Sequence, residues 1–155
     1  MKLVFDTNIF ISAIAIPKGK AEKAVLKIIE GYDSLIIPKE IVDEVLSVLS
    51  TKFHRDSDAI SHTALYLSDL AHLVKPAKRI DVLEDEPDNR VLECALQGKA
   101  DAIVTGDKKM LKLKEFEGIK IMSLKEYLEG QMTNNRQTLL RQLSPTSLGV
   151  VALST

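Results

Sequence analysis

Apolar positions in this chain fall into short continuous runs separated by segments whose apolar residues return at helical spacing. Leu3, Val4 and Phe5 make the first run, which ends at Asp6. It reads as a buried strand, followed by a helix over about 7–14 and a break at Pro17-Lys18-Gly19. Ala21, Ala24, Val25, Ile28 and Ile29 then mark a helix that Gly31 ends. Leu35-Ile36-Ile37 predicts a second strand, and Pro38 opens a helix with Ile41, Val45, Leu46, Val48 and Leu49 on its apolar side. A helix over about 56–70 follows, with Ile60, Ala64, Leu65 and Leu67 inward, and then a strand near 72–75. Pro87 stands in the first turn of the next helix, which buries Val91, Leu92, Ala95 and Leu96 and stops at Gly98. The pattern closes with a strand over 102–105, a short helix over 108–113, a strand over 119–121 and a helix over 124–128 that Ser123 is placed to cap. Strands alternating with helices predict an α/β fold, a parallel sheet covered on both faces.

After Gly130 the pattern fades. Residues 131–155 contain no acid and no lysine, string together Thr, Asn, Gln and Ser, and end on a weakly apolar stretch. We therefore expect a domain over 1–130 and a C-terminal tail over 131–155 that lies outside it. A chain of 155 residues has room for one core of this kind. With 45% apolar and 28% charged residues and no long apolar run, it belongs with soluble globular proteins rather than membrane or disordered chains. Met1-Lys2 leads at once into the first strand, which predicts no signal peptide and a cytoplasmic location. The single cysteine, Cys94, has no partner for an internal disulfide and sits among apolar neighbours, as a small buried side chain would.

A formal charge of −1 gives no general reason to bind nucleic acid. All 22 acids lie at or before Glu129, and two of the 21 bases, Arg136 and Arg141, lie beyond it, so the domain carries 19 bases against 22 acids. Four of those acids stand where strands end or helices begin: Asp6, Asp88 and Asp107, with Glu44 bordering the apolar stripe of its helix. In an open parallel sheet, ligands bind outside the carboxyl ends of the strands, where Asp6 and Asp107 should emerge. Each acid alone has an ordinary explanation. Asp6 and Asp88 could serve a helix N-terminus, Asp107 a turn, and Glu44 a surface ion pair. Together they suit a hard divalent cation such as Mg²⁺ or Mn²⁺, which prefers oxygen ligands and shares its remaining sites with water and phosphate. A cleft of carboxylates repels phosphate unless a cation reverses its sign. No Ser/His or Cys/His pair offers a side-chain nucleophile, and His54, His62 and His72 stand near none of the four acids, as surface or helix-side histidines. Lys108, Lys109 and Lys112 follow Asp107 and suit either phosphate contacts or a solvated helix face.

The stretches Leu3-Val4-Phe5-Asp6-Thr7-Asn8, Ile37 to Leu46, Pro87 to Ala95 and Ala100 to Asp107 resemble, in order and spacing, the successive motifs of PIN-domain nucleases. The resemblance runs from Met1 to about Glu129 and is greatest to the single-domain prokaryotic members that act as toxins of toxin–antitoxin pairs. It implies a five-stranded α/β/α sandwich, a metal-dependent ribonuclease, a homodimer and a small antitoxin partner. By the same resemblance Asp6, Glu44, Asp88 and Asp107 match the acidic metal-site residues, Asn8 a polar group that orients the first Asp, and Thr105 a hydroxyl near the site. The tail matches nothing in the family. A haloacid-dehalogenase-like phosphatase would need a second Asp where Asn8 stands, and a receiver domain would need an acidic pair after the first strand. The remaining alternatives are a PIN-like module kept for RNA binding or scaffolding and a housekeeping RNA-processing nuclease.

Overall fold

Five strands run parallel. The structure, a computed structural model, describes residues 1–51, 69, 71–74, 78–130 and 140–141. The helix expected over 56–70, His54, His62 and nearly all of the tail lie outside the described residues. The elements are β1 (Lys2–Phe5), α1 (Thr7–Ala15), α2 (Lys20–Ile29), β2 (Ser34–Pro38), α3 (Lys39–Thr51), β3 (Ala71–Val74), α4 (Glu86–Gln97), β4 (Ala102–Val104), α5 (Lys108–Leu113), β5 (Glu115–Phe116) and β6 (Ile119–Met122). A further helix, α6, begins at residue 124. The sheet order is β3-β2-β1-β4-β6-β5, parallel throughout except for the two-residue β5, which pairs antiparallel with β6.

Each helix starts and stops where its sequence allows. Pro17 to Gly19 separates α1 from α2, with Gly19 as the N-cap of α2. Ser123 accepts the Glu126 amide at 3.2 Å while the Glu126 carboxylate lies 3.3 Å from the Ser123 hydroxyl, a reciprocal cap for α6. Pro38 is the last residue of β2 rather than the first of α3, a shift of one position that still uses the proline where no helical N–H is needed.

Paired residues of parallel strands share a face, so Val4, Ile36, Ile103 and Ile121 point one way while Leu3, Phe5, Leu35, Ile37 and Val104 point the other. Both sets are buried, which is why the strands read as continuous apolar runs instead of alternating. α4 covers the first face. Its C-terminal Gly98 lies so close to β2 that an added Cβ would stand 2.8 Å from the Ile36 Cδ1. The second face carries α1 and α6, whose Phe10 and Tyr127 rings each sit 6.0 Å from the Phe5 ring. Such pairs add roughly 0.5–1.5 kcal/mol beyond the area they bury. The Tyr127 hydroxyl donates to Asp33 at 2.6 Å, tying α6 to the residue before β2, and burial pushes its ionisation well above the ordinary range. The result is a three-layer α/β/α sandwich. Cys94 is fully buried within it, its thiol pushed up to about 12 by desolvation.

Sheet order positions the site. The chain leaves β1 toward β2 and β3 on one side, then returns through α4 to place β4 on the other side of β1. The connections after β1 and β4 therefore diverge, opening a crevice at their carboxyl ends.

Candidate active site

Asp6 follows β1 directly, and its amide donates to the Val104 carbonyl at 3.1 Å, so the β1–β4 ladder continues one residue past the strand. Its carboxylate does not cap α1. Instead it accepts the Thr105 hydroxyl at 2.9 Å, a fully buried contact across the two strand ends. Burial raises its pKa most, opposed by Thr105 and the Thr7 amide and reinforced by Asp107 and Glu44. Asn8 is exposed on α1 and, among the described residues, makes no hydrogen bond to Asp6, whose orientation rests on Thr105 and Thr7.

Thr105 has a second role. Its hydroxyl accepts the Asp107 amide at 3.0 Å, bending the chain after β4. Asp107 then caps α5, its Oδ1 accepting the Lys109 and Met110 amides at 2.7 and 3.2 Å. The ordinary helix-cap role is thus realised for Asp107 without using its other oxygen. Asp88, in the first turn of α4, is 5% exposed, and its carboxyl is pushed up to about 7 by desolvation, then by Asp107, Asp6 and Asp85, and by a hydrogen bond shared with Asp107. Glu44 reaches the same crevice from α3, where the Thr7 hydroxyl donates to its Oε2 at 3.0 Å. Glu40, one turn earlier, is exposed.

Asp6, Glu44, Asp88 and Asp107 thus come together, close enough that Asp6 feels the charge of Asp107 and Glu44, and Asp88 that of Asp107 and Asp6. The donor set is all oxygen, which suits a hard divalent cation. Among the described residues, however, no group of three or more His, Cys, Asp or Glu side chains is arranged to hold a metal ion as it stands. Each of the four has its own partner: Asp6 and Glu44 accept the Thr105 and Thr7 hydroxyls, Asp107 accepts two amides, and Asp88 shares a hydrogen bond with Asp107.

Sequence reasoning missed the residues that hold the entry to α4. Asn89 is buried, accepts the Val82 and Leu83 amides at 3.1 and 2.8 Å and donates to the Leu83 carbonyl at 2.8 Å. Glu93, also buried, accepts the Ile80 amide at 2.6 Å and pairs with Arg90 at 3.2 Å. Their signal was the spacing of Asn89 and Glu93, four apart and adjacent to buried positions of an amphipathic helix. Lys109, exposed beside the site, lies 3.5 Å from Glu84, and Lys108 and Lys112 are also exposed.

An open parallel sheet with acids gathered at its switch point defines a class of α/β proteins, and the comparisons with known proteins narrow it. Residues 2–109 match the PIN domain, and the chain belongs to the PIN-domain family. Nucleases of that family are hydrolases acting on nucleic acids. The uncharacterized protein MJ1680 of Methanocaldococcus jannaschii is 34% identical over 119 residues, covering 74% of this chain and 76% of that protein. In fold the chain is similar to VapBC-1 of nontypeable Haemophilus influenzae, with a TM-score of 0.58 at 14% identity over 81% of this chain and 99% of that one. It is similar also to VapBC2 of Rickettsia felis bound to a DNA fragment from their promoter, with a TM-score of 0.55 at 12% identity over 79% and 98%. No helix among the described residues is long and apolar enough to cross a membrane.

Proposed function

We propose that this protein is a Mg²⁺- or Mn²⁺-dependent ribonuclease that cleaves single-stranded RNA as the toxin of a toxin–antitoxin pair. The observation that carries the reading is the meeting of Asp6, Glu44, Asp88 and Asp107 at the crevice between β1 and β4, with Asp6 and Asp88 held in burial. These four would hold the cation. When bound, it supplies a polarised phosphate and a water acidified into the neutral range. The chain's own part is to aim the carboxylates. Thr105 couples Asp6 to the turn that presents Asp107, and Thr7 holds Glu44. By themselves the four acids repel a phosphodiester, so the same residues that would hold the cation make RNA binding depend on it.

Purified protein should cut single-stranded RNA with Mg²⁺ or Mn²⁺ and not with EDTA, and Asp6→Asn should abolish cutting while leaving a cooperative melt. Cutting that survives both EDTA and the substitution would sink the reading.

One observation favours a second reading, a non-catalytic PIN-like RNA-binding or scaffold module: no three acids converge at ligand distance among the described residues. A rise in Tm on adding Mn²⁺ separates the two. The toxin role, rather than housekeeping RNA processing, is supported by the fold likeness to two VapBC complexes. A small antitoxin-like reading frame beside the gene and a homodimer by light scattering are its expected correlates.

A further inference from the structure

Beside the four acids lies a cleft of about 390 Å³, lined from the first turns of α3 and α4 by Glu40, Ile41, Glu44 and Glu86 and completed by Arg79 and Arg90. Its size is that of small-ligand pockets. Glu44 is common to both, so the cleft borders the acidic crevice. The two arginines play no part in holding the acids.

Arg90 is largely buried and fixed: one of its terminal nitrogens donates to the Ile80 carbonyl at 3.2 Å and pairs with Glu93 at 3.2 Å. Its Nε is buried with no hydrogen-bond partner. Arg79 is exposed and, among the described residues, has no hydrogen bond or ion pair. Its backbone is nevertheless anchored, because the next residue, Ile80, is pinned through its amide by Glu93 and through its carbonyl by Arg90. Arg79 is therefore the guanidinium open to a ligand in this cleft, on an anchored stretch of backbone, with the largely buried Arg90 beside it and the carboxylates of Glu40, Glu44 and Glu86 on the same walls.

We propose that Arg79 and Arg90 form a phosphate subsite for the RNA backbone next to the bond that is cut. The inference rests on the ribonuclease reading and deepens it. A cation at the four acids could neutralise the reacting phosphodiester but not its neighbours along the strand, which need their own positive charge near Glu40 and Glu86. The exposed Arg79 fork can match phosphate oxygens in pairs, while Arg90, its Nε buried and one terminal nitrogen engaged, adds positive charge beside it. Glu93 already neutralises part of Arg90, so Arg79 carries the larger share of the attraction.

The test is binding of a short fluorescein-labelled single-stranded RNA, with Ca²⁺ replacing Mg²⁺ to slow cutting, over a series of KCl concentrations. Arg79 is the residue to change because it is exposed and its loss leaves the fold intact. Arg79→Ala should weaken low-salt binding several-fold and reduce the slope of log affinity against log salt by about 0.7, the loss of one single-strand phosphate contact. Arg79→Lys should keep most of the slope, and Arg79→Glu should bind worse than Arg79→Ala. If wild type binds and cuts RNA while Arg79→Ala matches it in affinity and slope, the subsite is wrong and the ribonuclease reading stands. If wild type binds but does not cut with Mg²⁺ or Mn²⁺, and Arg79→Ala loses the slope, the subsite stands and the ribonuclease reading falls. Wild type that binds no RNA overturns both.

Discussion

Burial, and then the charges of Asp107, Asp6 and Asp85, push the Asp88 carboxyl up to about 7 from an ordinary value of 3.8. The raised value makes the neutral form the one the fold favours, so the stabilisation from protonated Asp88 is complete below about pH 4 and lost as pH rises through about 7. Melting of cation-free protein in EDTA should therefore show a contribution that declines across that window. Asp88→Asn, neutral at every pH, should lack that decline and melt higher than wild type at pH above 7. Equal pH profiles for the two proteins would show that Asp88 is not buried among charges in solution. The sequence had Asp6 and Asp88 open to ordinary helix-terminus roles and Asp107 to turn chemistry, yet it is Asp107 that caps a helix, α5. What spacing could not reveal was that Thr105 serves Asp6 and Asp107 at once, because that depends on two strand ends meeting across 99 positions of sequence.

Among the elements, α3 is the clearest case of a helix whose sequence carried its own register. Ile41 and Val45 are buried, Glu44 is half-buried beside them, and Glu40 is exposed, as the apolar stripe implied. Glu44→Gln should accordingly remove most of the Mn²⁺-induced rise in Tm and abolish cutting, whereas Glu40→Gln leaves the rise nearly intact; the reverse result would put Glu40 at the cation. For α4 the apolar stripe was legible but its polar inner residues were not. Asn89, Arg90 and Glu93 hold the loop over 80–83, and nothing local in the sequence says that a loop passes there. Gly98 is similar: it reads as a helix stop, yet it also lets α4 approach Ile36. Gly98→Ala should destabilise the fold by roughly 1–3 kcal/mol by crowding that contact, measured by urea denaturation.

At the scale of the whole molecule, Tyr127 is the last core residue among the described ones, packed on Phe5 and bonded to Asp33. A chain ending at residue 130 should therefore keep the full-length Tm within a few degrees. A large drop would make residues 131–155 part of the domain. The acids that meet in the crevice come from the ends of β1 and β4 and from α3 and α4, on a chain whose formal charge is only −1. That concentration of one sign, rather than the net charge, is why the proposed ribonuclease reading has RNA binding depend on a cation.

The fold class and, among the described residues, the order of strands and helices apart from the two-residue β5 were legible in the sequence, because burial on both faces writes continuous apolar runs and helical burial writes a 3.6-residue period. Both are local signals. Strand order, with β4 returning beside β1, belongs to tertiary structure, as do the crevice at that reversal, the hydroxyls that hold Asp6 and Glu44, and the arginine-lined cleft next to them. These features depend on contacts between residues far apart in the chain, and a burial period records only that a side chain is covered, not which distant group covers it.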